Sequence, residues 1–164
     1  MNLSAVVCFD SPIGQIAIGA TDRGVSEITI LGAGEKRAEF QTSPLAAEHA
    51  LDALRQLQGY FQGGTGEFKL SFDLEGTKFQ KLVWQQISQI GHGESMSYGE
   101  IASRLGKPLA ARAVGGAVGQ NPVPIVIGCH RVLGSSRTLT GYSGGGGLAT
   151  KRWLLNFEQI EYRK

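Results

Sequence analysis

The segment NPVPIVIGCHRV, residues 121–132, decides how the chain is read. Pro122 and Pro124 end any helix that reaches them, because neither ring donates an N–H to a helical ladder. Ile125, Val126 and Ile127 form a short β-branched run, predicted to stay extended inside a core. Gly128, Cys129, His130 and Arg131 follow directly. A thiol at the end of a buried segment, beside an imidazole and a guanidinium, is where a reactive cysteine is expected. The plain alternative is a small buried hydrophobe next to a core histidine. Adjacent side chains point different ways, so activation of Cys129 by His130 would run through a water or around a tight turn.

Working upstream, SYGE at 97–100 is a capping box, with Ser97 as N-cap and Glu100 at N3. Ile101, Ala102 and Leu105 share a face, and Gly106 closes this short helix. Lys107-Pro108 opens a second helix, LAARAVGGAVGQ, which Pro122 stops. Two short helices across a glycine-containing turn make a helix-turn-helix pattern. In the second, Arg112, Gly115, Gly116 and Gly119 lie at i, i+3, i+4 and i+7 on one face. Each interior glycine costs about 0.8–1 kcal/mol against alanine, so three forgo roughly 2–3 kcal/mol. A face so bare calls for a partner that approaches closely, either a core helix or DNA with Arg112 projecting into it. Charge favours DNA. Residues 75–164 carry 11 Lys/Arg against 5 Asp/Glu (+6), whereas residues 1–74 carry 5 against 9 (−4).

Around this centre, Phe79, Leu82, Val83, Ile87 and Ile90 mark an earlier helical stripe. SSRTLTGYSGGGG reads as a flexible loop, and Leu154, Leu155, Phe157 and Ile160 mark a final helix. Glu158 falls on or near the packed face of that helix. A buried carboxylate needs a partner, and His130 is the attractive one. Taken alone, a surface glutamate near a frayed C-terminus is the simpler reading.

The first half reads as strands and tight turns, an antiparallel meander with Cys8 packed in its first strand. Ser43-Pro44 starts a helix over 44–61, with Ala47, Ala50, Leu51, Leu54 and Phe61 at helical spacing. FKLSFDL alternates as one further strand. The expectation is an α/β chain of two domains: a small antiparallel sheet with a helix over 1–74, and a mostly helical unit over 75–164. No apolar stretch approaches a membrane span, and MNLSAVVCFD lacks the basic start of a signal peptide. Two cysteines make no disulfide framework, and no Cys/His cluster suggests zinc. Reducing, cytoplasmic surroundings are the default, nuclear in a eukaryote.

Several segments coincide with one family. FQKLVWQQI, SYGEIASRLGKP, AARAVGGAVGQNPVPIVIGCHRV, LTGYSGG and KRWLLNFE resemble the methylated-DNA–protein-cysteine methyltransferases, the O6-alkylguanine-DNA alkyltransferases, in order and nearly in spacing. The resemblance implies a ribonuclease H-like first domain and a winged-helix-like second one. It implies irreversible transfer of the alkyl group of O6-alkylguanine, or of O4-alkylthymine, from duplex DNA to Cys129. His130 would act as base through a water, Glu158 would polarise His130, and Asn121 would brace the active-site turn. Arg112 would fill the gap left by the flipped nucleotide, with Gly115, Gly116 and Gly119 facing the minor groove. Tyr98 would crowd the nucleotide's phosphate and protonate the departing guanine. Val132, Tyr142 and Ser143 would line the base pocket. Neither cofactor nor metal is implied. The partner is duplex DNA, bound by a monomer, with cooperative assembly left open.

Three features depart from the family pattern. Gly128 replaces the usual proline, which leaves the approach to Cys129 looser and predicts that Gly128→Pro speeds transfer or raises stability. GYSGGGG carries two additional glycines before the last helix. The first domain lacks the cysteine pair with which some relatives hold zinc. Three rival readings are a non-catalytic binder of alkylated DNA, a helix-turn-helix regulator with a sensing cysteine, and a thiol hydrolase. Adduct mass and turnover separate them.

Overall fold

Apolar alternation in the first thirty residues builds three antiparallel strands, β1 (Ala5–Ser11), β2 (Gly14–Thr21) and β3 (Gly24–Ile30). A fourth, β4 (Phe40–Gln41), pairs with β1 and completes the order β3-β2-β1-β4. This is a computed structural model that describes residues 2–64 and 66–164. It divides into two compact units, Met1–Glu75 and Gly76–Lys164.

Helix α1 (Pro44–Phe61) starts as its sequence predicts: the Ser43 side chain accepts from the Ala46 N–H and Pro44 opens the first turn. Its buried face is mostly small, with Ala46, Ala50 and Ala53 ahead of Leu57 and Tyr60, while Leu51 points outward. FKLSFDL does not form the expected strand. Only Phe72 bridges to Val25, with Val25 N–H donating to Ser71 O and Asp73 N–H to Val25 O, both at 2.9 Å. The reason is competition. Gln56 on α1 takes both backbone groups of Lys69 at 2.9 Å, so that backbone is satisfied by a side chain instead of a neighbouring strand.

The second unit holds α2 (Lys78–Ser88), α3 (Tyr98–Arg104), α4 (Ala111–Gly119) and α5 (Leu148–Phe157). A two-stranded parallel pair, β5 (Met96–Ser97) with β6 (Val132–Leu133), joins the start of α3 to the segment after Cys129. Two capping boxes set the helix starts, Ser97/Glu100 for α3 and Thr77/Gln80 for α2. Val83, Trp84, Ile87, Ile101, Val114, Val118, Leu154 and Leu155 form the core. Trp84 ties α2 to α4 by donating its indole N–H to Ala117 O at 2.8 Å.

Two local expectations change. Leu82 is exposed and lies off the apolar stripe. Helix α4 begins at Ala111 because 107–110 closes a turn, with Ala110 N–H on Lys107 O at 2.9 Å, after Gly106 at φ +73°. The fold is thus mixed α/β, with a four-stranded antiparallel sheet and five α-helices among the described residues. None of those helices is long and apolar enough to cross a membrane.

Candidate active site

Residues 125–127 are not extended. Ile125, a buried β-branched residue, stands in the left-handed region at φ +73°. Such a conformation costs about 1–3 kcal/mol and persists only where its surroundings over-determine it. Asn121 supplies that restraint. Its amide donates to Ile127 O at 2.8 Å, and its side-chain oxygen accepts from Val123 N–H at 3.0 Å. The chain then enters a single 3-10 turn, Cys129–Arg131, and passes into β6.

That turn puts His130 and Arg131 on one carboxylate. Glu158 caps α5 and is buried, not at a frayed surface. His130 Nε2 lies 2.5 Å from Glu158 Oε2, and Arg131 Nε donates to Oε1 at 2.8 Å. Arg131 also donates to Ile90 O at 2.6 Å, and Gly93 N–H to Glu158 Oε1 at 3.2 Å. Burial by itself pushes the Glu158 carboxyl up, but hydrogen bonds and charge from His130 and Arg131 outweigh it and hold it well below the usual range. Burial pushes His130 down, against the pull of Glu158. Arginine does not deprotonate, so Arg131 carries the charge that balances Glu158 and the imidazole stays neutral. Its Nε2–H then donates to Glu158, which leaves a lone pair on Nδ1. That buried nitrogen has no hydrogen-bond partner among the described residues.

Cys129 is buried at 8% exposure. Desolvation pushes its thiol up, while Asn121, the Lys151 ammonium and Tyr142 pull it down. Lys151 is fully buried on α5, seven residues before Glu158, and went unnoticed in the sequence because its neighbours fit an ordinary basic stretch. The signal was its heptad spacing from Glu158, which places it on the packed face. Its ammonium donates to Val132 O at 2.7 Å, Thr140 O at 2.5 Å and Gly141 O at 3.3 Å. Burial pushes it down to about 8, opposed by attraction to Cys129. Replacing Lys151 with methionine removes the cation and keeps the apolar stem. The Cys129 thiol is then expected to titrate at higher pH, read from the pH dependence of iodoacetamide alkylation.

Gly128 lies beneath Arg131. A Cβ there would stand 3.0 Å from Arg131 Cδ and Nε, whose guanidinium is pinned to Glu158 and Ile90. Its φ of −73° suits proline, so the loosening read from the sequence is opposed by a packing cost. Gly128→Ala sets this contact against a smaller gain in unfolded-state order than proline brings, and its melting midpoint is expected below the parent's. Gly128→Pro adds both and is expected above Gly128→Ala. Thermal melts of the three proteins check the order.

On α4, nothing lies within 4 Å of a Cβ built at Gly116 or Gly119, and at Gly115 only the Tyr98 ring comes near, at 3.7 Å. The bare face is therefore open, not packed into the core. Arg112 projects from it, exposed. Tyr98 opens α3 and its hydroxyl accepts from Thr140 Oγ at 3.3 Å, so it stands between α4 and the loop carrying Tyr142 and Ser143. Ser143 is exposed in that loop, and Gly147 at φ +68° turns the chain into α5. Val132 follows the 3-10 turn, its N–H on Cys129 O. No group of three or more His, Cys, Asp or Glu side chains arranged to hold a metal occurs among the described residues.

The chain is similar to known proteins over most of its length. The DNA-binding domain of 6-O-methylguanine DNA methyltransferase matches residues 78–160. Methylated-DNA–protein-cysteine methyltransferase of Methanosarcina acetivorans is 41% identical over 151 residues, 92% of this chain and 95% of that one. Its Mycobacterium tuberculosis counterpart is 43% identical over 152 residues, 92% and 89% of the two chains. The crystal structure of Mycobacterium tuberculosis OGT in complex with DNA superposes with a TM-score of 0.79 at 42% identity, covering 93% of this chain and 91% of that one. The chain belongs to the 6-O-methylguanine DNA methyltransferase family.

Proposed function

We propose that the chain repairs duplex DNA by moving the alkyl group of O6-alkylguanine, and of O4-alkylthymine, irreversibly onto the sulfur of Cys129. The observation that carries this reading is the Glu158-oriented His130, whose unengaged Nδ1 lies one residue from a buried thiol. A water between them takes the thiol proton to Nδ1. The thiolate then attacks the alkyl carbon, a C–S bond forms, and the C–O6 bond breaks. Its electron pair leaves on guanine, which takes a proton from the Tyr98 hydroxyl. A thioether is not hydrolysed by any group in this site, so each chain acts once. Val132, Tyr142 and Ser143 line the base pocket, and Asn121 keeps the turn in register. No cofactor enters the reaction.

The alkyl carbon lies inside the stack, so the nucleotide must be everted before sulfur reaches it. Helices α3 and α4 serve as a winged-helix-like reader whose glycine face enters the minor groove, with Arg112 filling the vacated stack. The degenerate code of that groove suits a protein that finds lesions in any sequence. Open space at Gly116 supports this over core packing and yields effects of opposite sign. Gly116→Ala is expected to raise stability by about 0.8–1 kcal/mol and to weaken duplex binding severalfold. Chemical denaturation and anisotropy titration check the two halves. A variant both stabler and tighter on DNA would sink the groove assignment.

The decisive experiment mixes protein with excess duplex bearing O6-methylguanine and weighs the intact chain. One methyl mass per chain, mapped to Cys129, is the expected result. A binder without transfer gains no mass, and a hydrolase consumes more than one lesion per chain.

A further inference from the structure

Among the described residues Leu109 is the only large hydrophobic side chain that is fully exposed, at 100% against 56% for the next, Leu45. Single exposed apolar residues are ordinary, so its setting has to carry the argument. It sits third in the turn 107–110, whose Ala110 N–H to Lys107 O bond closes at 2.9 Å with Pro108 fixing the second position. The turn is anchored in turn to α3, by Lys107 N–H on Ala102 O at 2.9 Å and Gly106 N–H on Ser103 O at 3.0 Å. Leu109 is thus presented on a restrained backbone and loses little order on contact. It stands three residues before Arg112, and exposed Arg104 and Lys107 precede it in sequence. The Lys107 ammonium itself lies 5.5 Å over the Phe79 ring.

An apolar side chain in so basic a stretch of chain does not suit another basic surface. It suits a polyanion whose grooves are walled by sugar C–H groups. We infer that Leu109 is an apolar DNA contact, packing on the deoxyribose wall of the groove beside Arg112 and supplying a salt-independent share of duplex binding. This rests on the DNA reading above and adds a residue to it. Phosphate contacts release counterions and weaken as salt rises, whereas an apolar contact does not share that slope.

The test is duplex affinity by fluorescence anisotropy at several salt concentrations, for the parent, Leu109→Ser, Leu109→Met and Lys107→Gln. Leu109→Ser is expected to bind about tenfold more weakly at every salt concentration, with the slope of log Kd against log salt unchanged. Leu109→Met recovers most of the loss, and Lys107→Gln lowers the slope by about one instead. Equal affinity of Leu109→Ser and parent overturns the inference, as does a changed slope in Leu109→Ser. Sedimentation that shows Leu109-dependent self-association with unaltered Kd also overturns it and makes a second copy the occupant. If the parent itself fails to bind duplex, the DNA reading beneath has failed. If the parent binds and Leu109→Ser matches it, only the apolar contact is lost.

Discussion

Cys129→Ser is expected to add no methyl group from an O6-methylguanine duplex, with a single-turnover transfer rate lower by at least about three orders of magnitude. A serine hydroxyl ionises far less readily than a thiol, and His130 held neutral by burial is too weak a base to bridge that gap. The substitution is nearly isosteric, and Asn121 remains to meet the new hydroxyl. Melting is therefore expected to stay within about 1 kcal/mol of the parent, with duplex binding intact. Loss of transfer with retained binding separates a missing nucleophile from a broken fold. In the parent, burial lifts the thiol above its ordinary value of 9.0, so the resting form near neutral pH is the thiol. The transfer rate should climb with pH across the neutral range, as hydroxide takes over the proton that His130 otherwise accepts.

The parts of this molecule that were legible in its sequence are those governed by local chemistry. Ser43-Pro44 and Ser97/Glu100 announce helix starts because capping needs only neighbouring side chains. Segment 125–127 misleads because β-branching favours extended backbone, and only the distant restraint of Asn121 forces Ile125 to positive φ. FKLSFDL misleads in the same way, since its alternation is real but Gln56 has already taken the backbone of Lys69. In the site, the proximity of Cys129 and His130 follows from adjacency. Glu158 came as one of two readings, because a carboxylate on a helix face does not declare its partner. Lys151 was missed because a lysine beside Arg152 looks solvated until the three carbonyls around its ammonium are seen.

Glu158→Gln is expected to be the most destabilising polar substitution in the second unit. Removing the carboxylate charge leaves the Arg131 guanidinium buried and uncompensated, a situation that costs about 3–5 kcal/mol. For a unit of this size the melting midpoint should fall by about 15 °C or more. Arg131→Met acts differently. It leaves Glu158 charged beside His130, and the cheapest remedy is to protonate the imidazole, which removes the base and slows transfer below the raised His130 pKa. The double variant lacks both buried charges, so it should recover part of the stability lost in Glu158→Gln and none of the transfer rate. The pH dependence has a defined sign. The folded-state pKa of Glu158 lies below its ordinary value of 4.5, so its contribution is complete above that value and is lost as pH falls beneath it. Parent and Glu158→Gln stabilities, measured by denaturant midpoints, should converge in acid and separate towards neutrality. Parallel curves down to strong acid would mean that the carboxylate at the end of α5 is not the charge that holds the catalytic turn in place.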